Sequence, residues 1–157
     1  MAIEHLTVDF SAIDIRTLLP QQPPFVMVGN ILSCDATTTR CSYTVPPDNI
    51  FCEGGVFTAP GLIEHVAQTA AARLGFINLY VNKGGKVPIG YIGAIKDFVI
   101  VRLPRVGETI ETEVHVEQEV MGMTLVSARV MIGNELVATT SMKIALAPAG
   151  TEPKPKV

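Results

Sequence analysis

Between Pro60 and Leu79 the chain carries a long stretch in which Glu64 and Arg73 are the only full charges. Within it Ile63, Val66, Ala67, Ala70, Leu74 and Ile77 recur at intervals of three and four, the spacing of one continuous helical face. Pro60 suits the first turn, where a missing N–H leaves no bond unmade, and Asn82-Lys83-Gly84-Gly85 suits the end. About twenty residues at about 1.5 Å each give a helix roughly 30 Å long. Its other faces are mild too, with Ala71, Ala72, Gly75, Phe76 and Leu79. A helix apolar nearly all round must be covered on most of its sides.

What can cover it is read from the flanking segments. Ahead of it, Ile13 to Leu19 predicts a short helix opened by Asp14 and stopped by Pro20. Pro23-Pro24 then leads into a strand from Phe25 to Asp35, which turns into a second strand from Thr39 to Val45. After the helix everything reads as strand. Ile89 to Leu103 comes first, followed by a turn at Pro104-Arg105-Val106-Gly107. Next, Ile110, Thr112, Val114 and Val116 alternate with Glu111, Glu113, His115 and Glu117. Gly122 marks a turn before Leu125 to Ile132, and Gly133-Asn134 a tight hairpin into Leu136 to Leu146. An antiparallel sheet with one solvated face must bury the other, and the long helix is the element available. The fold class is therefore α+β, a long central helix wrapped by an antiparallel β-sheet. Residues 1–147 are expected to form a single domain and 148–157, with Pro148, Pro153 and Pro155, a disordered tail.

Composition narrows the function. Hydrophobic residues at 48% and charged residues at 17% supply a substantial core, and a net charge of -3 gives no reason to expect a nucleic-acid partner. No uninterrupted apolar run reaches membrane-spanning length, and the N-terminus, with Glu4 and Asp9, does not read as a signal peptide. Cys34, Cys41 and Cys52 have no metal-ligand spacing and read as free thiols in a reducing compartment, so a cytoplasmic protein without metal or cofactor is expected.

Several segments, taken in order, resemble the β-hydroxyacyl-acyl-carrier-protein dehydratases. They are Leu18-Leu19-Pro20 with Pro24-Phe25-Val26-Met27-Val28, then Asn49-Ile50-Phe51-Cys52-Glu53-Gly54, and Ile63-Glu64-His65-Val66-Ala67-Gln68 in the helix. Gly93-Ala94-Ile95-Lys96-Asp97-Phe98 and Pro104-Arg105-Val106-Gly107-Glu108 complete the set. The resemblance spans about residues 14–146 and is nearest the divergent branch of aryl-polyene pathways. It implies the hot-dog fold and loss of water from a 3-hydroxyacyl thioester to give the trans-2-enoyl product. It also implies an acyl carrier protein as partner, and a homodimer or trimer of dimers whose active sites lie at the subunit interface.

Such a reaction needs a base, an acid and a group that holds negative charge on the thioester carbonyl. Glu64, among apolar neighbours and at the position of the family's helical carboxylate, is the candidate acid or base. Gln68, one turn later, could hold it in place. Gly54-Gly55, or Pro60-Gly61 at the helix start, could present N–H groups to the carbonyl, against the alternative of an ordinary helix-entry loop. Phe57, Tyr91 and Phe98 are candidates to line an acyl pocket. The family's histidine after the loop glycine is missing, because Gly54 is followed by Gly55 and Val56, and a second one is replaced by Gln21. Of the histidines present, His5 and His115 read as surface groups, and His65 as either a catalytic assistant or a packed residue. Three functions stay open: a dehydratase, a non-catalytic subunit that binds acyl thioesters or pairs with an active homologue, and a thioesterase.

Overall fold

The structure, a computed structural model, describes residues 2–84 and 89–147. Short 3-10 turns at Phe10–Ala12 and Ile15–Thr17 open on Asp9 and Asp14, whose carboxylates accept from the N–H groups of Ser11 and Arg16. Strands β1 (Asn30–Cys34) and β2 (Thr38–Thr44) form a hairpin. Its turn is fixed by the Asp35 carboxylate, which accepts from the N–H groups of Thr37 and Thr38. A small hairpin, β3 (Cys52–Glu53) with β4 (Val56–Phe57), leads into α1 (Ala59–Phe76). The helix continues as one wider π turn, Ile77–Val81. Strands β5 (Gly90–Ile100), β6 (Thr109–Val120), β7 (Met123–Ile132) and β8 (Glu135–Leu146) follow.

Six of the strands make one antiparallel sheet in the order β1-β2-β6-β7-β8-β5. The alternation read from β6 holds: Ile110, Thr112 and Val114 are buried while Glu113 and Glu117 are exposed. With Val126, Ala128, Val130, Met142 and Ile144 they form the inner face, which packs on Leu62, Val66 and Ala70 of α1. A second cluster covers the far side of the helix. There Ile15, Leu18, Leu19, Val28 and Ile31 pack on Ala72 and Phe76, and Phe76 stacks on Phe10 with ring centroids 5.3 Å apart. The helix thus lies between the sheet and the N-terminal third of the chain, as its all-round apolar character requires. The tail expected at 148–157, and Gly85 of the helix stop signal, lie outside the described residues.

The strand expected from Phe25 begins only at Asn30. The Gln68 side chain takes the Met27 N–H at 2.7 Å and donates to the Phe25 carbonyl at 2.8 Å. Backbone groups that a sheet ladder would have used are satisfied by the helix instead.

The helix and the N-terminal segment approach closely at Gly75, where an added Cβ would be driven into the Leu18 carbonyl. Gly75→Ala is expected to lower stability by about 1–3 kcal/mol despite the better helix propensity of alanine. A urea unfolding curve showing equal or greater stability would refute this close packing.

Candidate functional site

The half-buried stripe of α1 carries Glu64, Ala67, Ala71 and Leu74, spaced three and four residues apart. It lines a cleft of about 220 Å³ together with Pro20, Gln21, Gly90, Tyr91, Ile92 and Ile144. The cleft therefore lies between the open flank of the helix, the start of edge strand β5 and the turn after Leu19. Its walls are mostly apolar, and among the described residues Glu64 is the single charged one that lines it.

Glu64 sits one helical turn before Gln68, whose amide nitrogen comes within 3.4 Å of its Oε2. Gln68 is itself nearly inaccessible at 1% and is anchored on Phe25 and Met27. The carboxylate thus stands next to a fixed donor and faces an apolar cavity. Such a group can accept a proton from a bound molecule and return it.

His65 behaves differently, and the expectation that it assists in catalysis is corrected. It is 0% exposed, with Nδ1 2.7 Å from the Met27 carbonyl and Nε2 2.7 Å from the Thr112 hydroxyl. A carbonyl can only accept, so Nδ1 carries the proton and Nε2 accepts from Thr112. Burial holds the imidazole pKa down at about 4, so the ring stays neutral. It is a core strut joining the helix to the Met27 segment and to β6, and it does not line the Glu64 cleft.

The other expected contacts divide. Tyr91 shares the cleft with Glu64. Gly54 and Gly55, by contrast, form the β3–β4 turn with φ of 59° and 78°, a left-handed pair that a two-residue hairpin needs. Both are exposed and away from the cleft. Gly61 is packed between Phe51 and Phe57, where a Cβ would stand 2.7 Å from Phe51 Cβ, so the glycine serves packing and not substrate approach. Phe57 is fully buried in the main core and Phe98 packs against that core, so neither lines the cleft. Sequence reasoning missed Pro20, Ala67, Ala71, Leu74, Gly90, Ile92 and Ile144. The 64-67-71-74 spacing is the available signal, but in sequence it merges with the general apolar face of the helix. His115 lies on the outer face of the sheet, its Nδ1 3.1 Å from the Thr38 hydroxyl.

One helix cradled by a six-stranded antiparallel sheet, with a carboxylate on the flank of the helix, is the hot-dog architecture. The chain belongs to the ApeP dehydratase family, whose model matches residues 13–152. Among solved structures it is similar to the dehydratase heterocomplex ApeI:P from Xenorhabdus doucetiae. That match has a TM-score of 0.75 and 12% identity over 87% of this chain and 93% of that one. The E. coli PaaI protein from the phenylacetic acid degradation operon matches with a TM-score of 0.58 and 14% identity, covering 73% of this chain and 80% of that one. A zebra fish thioesterase superfamily member 2 matches with a TM-score of 0.59 and 15% identity, covering 75% and 80%. At such identities these likenesses show the fold. No curated protein matches the chain.

The buried His65 makes a pH prediction. Its native pKa of about 4 lies below the unfolded value of 6.5, so between those values the unfolded chain binds a proton that the native state refuses. Stability is fully present above pH 6.5 and falls as pH drops toward 4, by about 3 kcal/mol in all. Urea midpoints at pH 7, 6 and 5 should decline in the wild type and decline less steeply in His65→Gln. An unchanged slope in the variant would assign the acid sensitivity elsewhere.

Proposed function

We propose that the protein is a dehydratase subunit that removes water from 3-hydroxyacyl groups carried as thioesters on an acyl carrier protein, giving the trans-2-enoyl product. The observation that carries this reading is Glu64, a carboxylate beside a fixed amide in a mostly apolar cleft. Membership of the ApeP dehydratase family supports the reaction class. The reaction takes a proton from C2, expels the C3 hydroxyl as water and needs no redox partner. A carboxylate can take the C2 proton and, once protonated, supply one to the departing hydroxyl. Ala67, Ala71, Leu74, Ile92 and Ile144 offer an acyl chain apolar surface in the same cleft.

A second subunit of the same fold fits this reading. Strand β5 is at the sheet edge, and its Tyr91, Ile92, Ile95 and Val99 are exposed large hydrophobic residues. Val99 is 56% exposed. A long apolar edge strand is a template for pairing with another chain, and the Glu64 cleft opens beside it. A homodimer or trimer of dimers would use that edge. One observation favours a second reading, a subunit that works with a different hot-dog chain. Among the described residues no histidine of this chain lines the Glu64 cleft. The ApeI:P dehydratase is itself a heterocomplex. The cytoplasm is the proposed compartment, since an acyl-carrier-protein substrate would be met there.

Incubation with a 3-hydroxyacyl carrier-protein thioester, followed by mass, tests the function. Loss of 18 mass units, the weight of water by elementary chemistry, is the expected result, and Glu64→Gln should slow it by about 10²–10⁴-fold without unfolding the protein. Free acid as product would make the protein a thioesterase. Binding without turnover, with activity regained on adding a hot-dog dehydratase partner, would favour the paired-subunit reading. The edge is tested separately. Ile95→Lys with Val99→Lys should elute as a monomer at concentrations where the wild type is larger, and an unchanged elution volume would remove β5 from the interface.

A further inference from the structure

Polar side chains are buried throughout this molecule, and nearly all of them are answered. Gln68 bonds Met27 and Phe25, Thr69 bonds the His65 carbonyl, and Arg73 donates to the carbonyls of Asp35 and Ala36. Among the described residues, Gln21 Oε1 is the buried side-chain atom left without a partner. A carbonyl oxygen removed from water and left unpaired is unfavourable, and in a native protein it calls for an explanation.

Its position supplies one. Gln21 lines the cleft that holds Glu64. The segment that carries it is fixed on both sides. Leu18 and Leu19 are buried at 0% and 2%, with the Leu18 carbonyl against Gly75, and the chain beyond is pinned where Gln68 holds Phe25 and Met27. Pro20 immediately before it limits the backbone further. The residue is therefore held at the wall of the cleft that also holds Glu64.

We propose that Gln21 is a substrate-positioning residue, its side-chain carbonyl accepting a hydrogen bond from the hydroxyl on C3 of the bound acyl chain. This rests on the acyl-thioester reading above and deepens it. The oxygen can only accept, so its partner must be a donor. Among the described residues no side chain donates to it, the Tyr91 hydroxyl of the same cleft included. On a 3-hydroxyacyl thioester the hydroxyl is the one donor among the reacting atoms, since the thioester group has none. Binding it at Gln21 fixes the leaving group in the cleft that holds Glu64, so that C2 and the hydroxyl are presented to one carboxyl group.

The test compares two pantetheine probes, in which an amide replaces the thioester so that neither reacts. One carries a 3-hydroxyacyl chain and the other the saturated chain of equal length. The full chain in its own assembly should bind the hydroxylated probe about five- to tenfold more tightly, the worth of one hydrogen bond between neutral groups. Gln21→Met, similar in length but without the acceptor, should lose that preference while keeping its affinity for the saturated probe. Gln21→Glu, which keeps an acceptor oxygen at the same reach, should retain it and guards against a folding defect in the first variant. Equal affinity for the two probes in the wild type, or a preference that survives in Gln21→Met, overturns the proposal while leaving an acyl-binding cleft in place. If the wild type binds neither probe, the acyl-thioester reading itself fails and the role of Gln21 falls with it.

Discussion

The side-chain amide of Gln68 is the contact on which the arrangement of this molecule turns. It sits in the middle of α1, almost wholly removed from water, and it satisfies the Met27 N–H and the Phe25 carbonyl at once. One residue therefore does the work of two ladder bonds and attaches the N-terminal segment across the helix. His65 adds a second tie one turn earlier, to the Met27 carbonyl and to Thr112 of β6. Arg73 adds a third near the end of the helix, on the carbonyls of the β1–β2 turn. Each is a buried polar group whose partner is mostly backbone, and each would be costly to leave unpaired.

These ties decide which flank of the helix stays accessible. The face toward the sheet is filled by core residues and the opposite face by the N-terminal cluster. What remains is the stripe of Glu64, Ala67, Ala71 and Leu74, next to a sheet edge whose side chains are exposed and apolar. The cleft is thus a consequence of how the helix is covered. Its carboxylate stands beside Gln68 because the same amide that pins Phe25 and Met27 is one turn away.

Much of this was legible in the residues. The order of elements follows from periodicities of three to four and of two, and from turn residues such as Asp35, Gly122 and Gly133. Glu64 and Tyr91 were marked as site residues and do share a cleft. The departures have a common physical source. In sequence Gly54, Gly55 and Gly61 are equally compatible with N–H groups presented to substrate and with an ordinary helix-entry loop, and in the structure they serve a left-handed turn and a tight packing contact. Phe57 and Phe98 are pocket candidates by position alone, but an aromatic ring gains more from a complete core than from a half-open wall.

His65 shows where a sequence stops being informative. A histidine beside a glutamate in a helix permits catalysis or burial, and spacing cannot choose between them. The choice was made by Met27 and Thr112, which lie 38 residues before and 47 residues after it and occupy both ring nitrogens. The sequence by itself determined that a long helix would be buried and that an antiparallel sheet would cover it, because those outcomes depend on local periodicity and on apolar area. Only the tertiary structure decided which polar residues of that helix became struts and which one faced a cleft. That distinction depends on partners distant in the chain, and hydrogen bonds to backbone leave no mark in the identity of the residues that supply them.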